Sequence, residues 1–459
     1  MPDSKQKYGI AQFPGDNRAA LAGARKGLAK PPRPVDYGPN AGADFSMNQI
    51  VLGLVGIVAI LAVAVGLSTN RRAIRPRVVG AAFLLQAGMA ALVLYVPAGR
   101  AAIGGAAHGV DVLLGFTRAG TSMVFGGLDK VNGVASFAFN VLPIIVFFAA
   151  LVGVLNYFGI LQFIVRYGGG VLQWVIGVDK VEGLYAAANI LVGQSESPLL
   201  VRGYLRGLSD AQLFALMTTG MAGVAGSILA AYAQLGVRTE YLLAAAFMSA
   251  PGGLLMAKLM MPDPVKPAFD AEQRAEAADT HPRPENLIMA IFNGAEDGVK
   301  LAVSVGAMLV VFVSLVAMGN GILGGIGGLF GHPELTFEQM LGWIFAPIMY
   351  LLAVPKSEMG IAGQLFGQKL ILNEFIAYLN FAPIQHTLSA HTQAVISFAL
   401  CGFANLSSIA IQLGVLGGLV PEKRPVLARF GVRAVLAGSL SNLMSAALAG
   451  LMLSVAGLG

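Results

Sequence analysis

Charge is scarce in this chain: only 12% of its 459 residues are Asp, Glu, Lys or Arg, where an ordinary soluble domain carries about 25%. So few charges cannot clothe a water-facing surface, and the composition excludes a conventional soluble globule. The lone cysteine, Cys401, excludes an intrachain disulfide framework and a cysteine-based metal cluster. No HExxH, P-loop or GxSxG pattern occurs, so the common metalloprotease, nucleotide-binding and hydrolase signatures are missing and no cofactor is expected. The chain opens on a long polar segment, so no cleavable signal peptide is expected.

What is abundant is apolar: 56% of residues are hydrophobic and mean hydropathy is +0.72. The natural solvent for such a chain is lipid. Fifty-nine glycines suit close packing of membrane helices through small side chains. The net charge of +6 is spread over loops and a tail, which reads as an orientation signal rather than a nucleic-acid surface. Residues 1–45, rich in Lys, Arg, Pro, Asp and Gly, read as a disordered tail, either an appendage or an extension upstream of a start at Met47.

A helix needs about 20 apolar residues to cross the hydrocarbon core. Charge-free stretches that meet or approach this length lie at 47–69, 78–99, 131–165, 211–237, 301–333, 392–420 and 434–459, with shorter ones at 241–257 and 339–355. Residues 101–130 hold Asp111, Arg118 and Lys130 among Gly, Ala and Leu, the pattern of an interfacial helix. The run 131–165 is too long for one perpendicular crossing and is expected to tilt. Arg71, Arg72, Arg75 and Arg77 crowd one loop, and Lys423, Arg424, Arg429 and Arg433 another. Both are therefore expected on the cytoplasmic side, with Met47 and the C-terminus outside. The loop 262–286 carries six acids against three bases and is expected on the outer side.

Two polar stretches interrupt the apolar sequence: Asn189-Ile-Leu-Val-Gly-Gln-Ser-Glu-Ser-Pro198, followed by Leu-Leu-Val-Arg202, and Asn373-Glu-Phe-Ile-Ala-Tyr378. A carboxylate at membrane depth costs roughly 2.5–3.5 kcal/mol, so it usually faces a cavity and has a function. Gly193 and Pro198 break the helix, and broken backbone is tolerated at depth only against protein or a water-filled site. Each motif precedes a Gly/Ser-interrupted apolar segment, with 31 positions from Glu196 to Ser227 and 34 from Glu374 to Ser408. A charged bend followed by a broken helix, twice at similar spacing, points to an inverted-repeat transporter with a midplane site. Plainer readings stand beside this one. Glu196 and Glu374 would suit exposed loops, Asn405 interhelical glue, and Phe403 a core aromatic. Asp297 is expected to mark a helix start, and His386 and His391 lack acidic or Cys neighbours for metal binding.

At these motifs the sequence resembles the concentrative nucleoside transporters, bacterial members included. The resemblance runs from Met47 to the C-terminus. It rests on Gly193-Gln-Ser-Glu196 with Pro198-Leu-Leu-Val-Arg202, on Met248-Ser-Ala-Pro-Gly-Gly-Leu-Leu-Met-Ala-Lys-Leu-Met260, on Asn373-Glu-Phe375 and on Cys401-Gly-Phe-Ala-Asn-Leu-Ser-Ser408. It implies an all-α integral membrane protein of the bacterial inner membrane: about eight transmembrane helices, two re-entrant hairpins with broken helices, and an interfacial helix. It further implies a homotrimer whose protomers each work as an elevator. The implied organisation is a tail (1–45), mainly scaffold (46–165), a first hairpin and helices of the transport domain (166–260), and a polar loop (261–297). A scaffold and trimerisation helix (298–333) follows, then a second hairpin, broken helix and last helix (334–459).

For function the resemblance implies no enzyme but import of nucleosides such as uridine, cytidine or adenosine by symport with a cation. Gln194 and Ser195 would meet the base, Glu196, Glu374, Asn405 and Ser408 the ribose hydroxyls, and Phe403 and Leu301 would pack on the base. Carboxylates are strong acceptors for ribose hydroxyls, and a Phe ring beside Gln and Ser suits the face and edge of a base. Sodium would bind at Asn189, the Val192 carbonyl, and Gly223 with Val224, where the family places a serine at the position of Gly223. With that hydroxyl missing, proton coupling through a carboxylate stands as the alternative to sodium. Rival functions are a related carrier for a nucleobase or other polar metabolite, and a membrane enzyme on a nucleotide-linked lipid. The enzyme would need clustered Asp and magnesium, which the intramembrane motifs do not offer.

Overall fold

The computed structural model describes residues 41–126, 136–263 and 284–455, without the side chains of 41–48, 136 and 137. The chain divides at Asp44; everything below concerns the unit Phe45–Gly459. The disordered tail expected over 1–45 lies outside the described residues as far as position 40, and from Ala41 the chain is helical, so the boundary at 45 falls inside a helix. Lys130 and most of the acidic loop also lie outside them.

Among the described residues every regular element is helical. The principal helices are α1 (Ala41–Gly66), α2 (Pro76–Leu94), α3 (Pro97–Phe125), α4 (Leu142–Tyr157), α5 (Ile160–Ile176) and α6 (Lys180–Val192). Then come α7 (Asp210–Ala222), α8 (Gly226–Gln234), α9 (Thr239–Met260), α10 (Leu287–Leu329), α11 (Phe337–Leu351) and α12 (Met359–Ile371). The chain ends with α13 (Glu374–Phe381), α14 (Ala390–Leu400), α15 (Leu406–Leu419) and α16 (Arg424–Val455). Among the described residues seven helical stretches are long and apolar enough to span a membrane: Gln49–Gly66, Pro76–Leu94, Ala138–Tyr157, Asp210–Gln234, Thr239–Met260, Leu287–Leu329 and Pro421–Val455. The pair α14–α15 supplies a further crossing in two halves, each too short alone because residues 401–405 leave the helix.

Burial sorts these helices. Within Asp210–Gln234, 94% of the most apolar stretch is buried, against 6% for Leu287–Leu329. The paired half-helices α7–α8, with α9 and α16, therefore form the packed interior, and α10 runs along the periphery with Val303, Val310 and Ile322 exposed. At 43 residues and about 1.5 Å per residue, α10 is roughly twice as long as the hydrocarbon core is thick, so it tilts or projects. Two antiparallel hairpins stand out: α5 with α6, turning at Gly177, and α11 with α12, turning through Ala353 and Pro355. In the first, a Cβ on Gly169 would lie 2.8 Å from the Leu184 Cα, so glycine is what lets the two backbones touch.

Local chemistry fixes the boundaries. Asp179 with Glu182, Ser209 with Gln212, and Thr336 with Gln339 form capping boxes at the starts of α6, α7 and α11. Three expectations need correction. The run 131–165 is not one tilted span: α4 stops at Tyr157, Gly159 takes a left-handed φ of 74°, and α5 begins at Ile160. The boundary set at 165 thus falls inside α5. The polar loop set at 261–297 ends at Asn286, whose side chain caps α10, so Asp297 lies inside that helix rather than at its start. The loop after α9 and the basic loop, expected on opposite sides, begin side by side: Pro262 and Asp263 line a crevice with Ala73 and Arg75 of the basic loop, and the Thr69 amide donates to the Met260 carbonyl at 2.9 Å. Acidic residues carry little topological signal, so the acids of this loop do not outweigh that adjacency.

Candidate functional site

The second polar motif sits where helices begin. Asn373 caps α13, accepting from the Ile376 amide at 2.9 Å, and this holds Glu374 in the first turn, only 5% exposed. Asn405 caps α15 in the same way, accepting from the Ser408 amide at 2.9 Å. Its amide then donates to Glu374 Oε2 at 2.8 Å, and the Tyr232 hydroxyl on α8 donates to Glu374 Oε1 at 2.9 Å. Two half-helix N-termini, positive dipole ends, are thus held around one carboxylate.

The first motif meets the same place from the other repeat. After α6 the backbone bends at Gly193 with φ 76°, where a Cβ would stand 2.6 Å from that of Ala225, so glycine alone fits. The bend aims Gln194 inward: its Nε2 donates to Ser408 Oγ at 3.0 Å, and its Oε1 accepts from Gln412 Nε2 at 3.0 Å. A continuous chain of contacts runs Gln412–Gln194–Ser408–Asn405–Glu374–Tyr232. It brings together Gln194, Ser408, Asn405 and Glu374. A carboxylate has about four lone-pair positions; side-chain donors use two on Glu374, leaving acceptor capacity for hydroxyls of a bound solute.

Ser195, Glu196, Leu301 and Phe403 are not joined to this chain by their side chains among the described residues. Ser195 and Glu196 are exposed. Glu196 opens onto a cavity of about 310 Å³ whose walls include Asn156 of α4, Arg202, and Asn293 and Asp297 of α10. Leu301 lies half-buried on α10, one turn beyond Asp297. The Phe403 amide donates to the Gly223 carbonyl at 3.0 Å, tying the break of α14–α15 to that of α7–α8.

Of the positions considered for a cation, Asn189, Val192 and Val224 are buried. Asn189 donates Nδ2 to the Thr219 carbonyl at 2.9 Å, while its Oδ1 has no hydrogen-bond partner among the described residues. An unsatisfied buried amide oxygen beside the C-terminal ends of α6 and α7 fits a cation ligand, since half-helix C-termini and unwound carbonyls are where transporters hold such ions.

Sequence reasoning missed several buried polar residues here. Gln412 follows Ser408 by one turn on an otherwise apolar helix, a stripe that carried the signal. Lys369, wholly buried on α12, was visible as a lone charge in an apolar run. Its ammonium donates to Asn442 Oδ1 at 2.7 Å, and Asn442 donates to the carbonyls of Ala222 at 2.7 Å and Cys401 at 3.0 Å. The pair thereby ties the ends of the first halves of both broken helices. Tyr232 had no sequence signal, because its partner is 142 positions away.

Residues 55–128 match the Na+ dependent nucleoside transporter N-terminus, 138–238 the nucleoside recognition Gate region, and 241–450 the Na+ dependent nucleoside transporter C-terminus. The nucleoside permease NupC of Helicobacter pylori is 42% identical over 88% of this chain and 98% of its own length. An uncharacterized transporter of Haemophilus influenzae is 48% identical over 89% and 99%. Among solved structures, CNTnw in an inward-facing substrate-bound state is 47% identical, with a TM-score of 0.85, covering 90% of this chain and 99% of that one. A variant of CNTnw in an outward-facing state gives a TM-score of 0.86 at 47% identity, covering 89% and 100%.

Proposed function

The chain belongs to the Na+ dependent nucleoside transporter family, a multi-pass transporter of the bacterial inner membrane and not an enzyme, and from this premise we propose how its residues carry out nucleoside symport. Glu374, with Asn405 and Ser408, binds the ribose hydroxyls, and Gln194 reads the edge of the base. The observation that carries this assignment is the hydrogen-bonded chain from Gln194 through Ser408 and Asn405 to Glu374, which joins both repeats at the termini of broken helices. Ser195 and Glu196 complete the site from the bend after α6 when the solute enters. Phe403 and Leu301 supply its apolar walls.

Sodium is the coupling ion, held by Asn189 and by the backbone around Val192, Gly223 and Val224. Three protomers assemble into a homotrimer, and within each the hairpins and broken helices move as an elevator against α1, α2, α4 and α10. The outward-facing and inward-facing states of CNTnw support this reading. The substrate class is tested by competition: unlabelled uridine or adenosine should displace radiolabelled uridine from the purified protein, whereas 3′-deoxyuridine and free uracil should compete at least tenfold more weakly, because buried acceptors are left unpaired. Equal competition by uracil would favour the nucleobase-carrier reading instead.

A further inference from the structure

Three helices, α6, α7 and α9, converge on Gly223, and their polar atoms there are not accounted for by the substrate site. Asn189 Oδ1 and Thr219 Oγ1 are buried without hydrogen-bond partners among the described residues. Ser249 on α9, 1% exposed, gives its proton to the Ala246 carbonyl at 2.7 Å, so its oxygen lone pairs point elsewhere. A Cβ built on Gly223 would lie 2.6 Å from Asn189 Nδ2 and 2.8 Å from Ser249 Oγ. The amide of Asn189 and the hydroxyl of Ser249 therefore flank the same point. The space a side chain at 223 would occupy is already filled by a hydroxyl from another helix.

We propose that Ser249 supplies the side-chain hydroxyl ligand of the cation site, with Asn189 Oδ1 as its companion, in place of a hydroxyl at position 223. The inference rests on the reading of sodium as coupling ion. The donor set is neutral and all oxygen, which suits a hard monovalent cation, and the C-terminal ends of α6 and α7 contribute their negative dipole ends. A hydroxyl whose proton is already donated presents only lone pairs, the state a cation ligand needs. Because α9 packs in the interior with both halves of the first broken helix, ion binding through Ser249 ties α6, α7 and α9 together. Gly223 is then not a lost ligand but the condition for this arrangement.

The test is a sodium titration of thermal melting for the purified protein without nucleoside, at constant ionic strength with choline chloride. Wild type should be stabilised by sodium. Ser249→Ala should melt like wild type without sodium, yet require about tenfold more sodium for half the stabilisation, the effect of losing one buried polar contact. Ser249→Cys, which keeps the side chain's volume but offers a soft sulfur in place of a hard oxygen, should weaken sodium to a similar degree. Wild-type sodium response in Ser249→Ala would overturn the proposal and leave sodium coupling standing. Near-wild-type sodium affinity in Ser249→Cys would assign the loss in Ser249→Ala to packing and also overturn it. A wild type unmoved by sodium would remove both this inference and the sodium reading.

Discussion

Replacing Glu374 by Gln separates ribose recognition from folding. Glu374 accepts from Tyr232 at 2.9 Å and Asn405 at 2.8 Å. In Glu374→Gln the amide oxygen keeps the Asn405 contact, and the Tyr232 hydroxyl can turn to accept from the new NH2 group. The buried network stays satisfied and a buried charge disappears, so the folded state should lose little. The substrate loses more. Hydrogen bonds to a charged acceptor are worth about 1.5–3 kcal/mol, against about 0.5–1.5 for neutral ones. Weakening two ribose contacts by that difference costs about 2 kcal/mol, or roughly a 30-fold rise in KM for uridine uptake.

The assay is initial-rate uptake by proteoliposomes, paired with the melting temperature and size-exclusion profile of the same preparation. Running uridine and 3′-deoxyuridine against both proteins adds a coupling test: contacts that interact directly are non-additive, so the deoxy penalty should shrink in Glu374→Gln. An unchanged KM, or a deoxy penalty equal in both proteins, would refute the ribose assignment.

Three further outcomes follow from the same contacts. Gln412→Leu leaves Gln194 with one partner fewer and should raise KM about fivefold, near 1 kcal/mol, without altering the deoxy penalty, because the effect lies on the base side; competition assays check both. Lys258 pairs with buried Glu182 at 2.5 Å, so Lys258→Met should cost about 3–5 kcal/mol and lower the melting temperature by roughly 10 °C. Lys258→Met with Glu182→Gln should recover most of that loss in the same melting measurement. Asn442→Ala removes the acceptor of the wholly buried Lys369 ammonium and should destabilise by at least about 3 kcal/mol, seen as a loss of monodisperse protein on heating.

Much of the fold was legible because hydrocarbon imposes a simple rule, apolar runs of bilayer length, and the interrupted polar motifs marked where that rule is broken. Asn373 and Asn405 were legible as polar positions at helix breaks, and both turn out to be helix caps. What failed was local. The turn at Phe158 and Gly159 hides inside a charge-free run: it rests on a glycine able to take positive φ and on the Gln162 amide donating across it to Asn156, and neither interrupts the run. The loop after α9 was set opposite the basic loop from acids that carry little topological weight, whereas the two begin side by side. The partners of the site were out of reach for a different reason: Gln194 with Ser408 and Tyr232 with Glu374 pair across the two repeats, and no local pattern encodes which turns of two distant helices will meet.

The central claim, cation-coupled uptake of nucleosides, is tested most directly by measuring radiolabelled uridine and adenosine accumulation in proteoliposomes bearing an inward sodium gradient, a proton gradient, or neither. The account predicts accumulation above equilibrium with sodium and none without a gradient. Accumulation driven by the proton gradient alone would contradict sodium as the coupling ion, and uptake of neither nucleoside by folded, reconstituted protein would contradict the account as a whole.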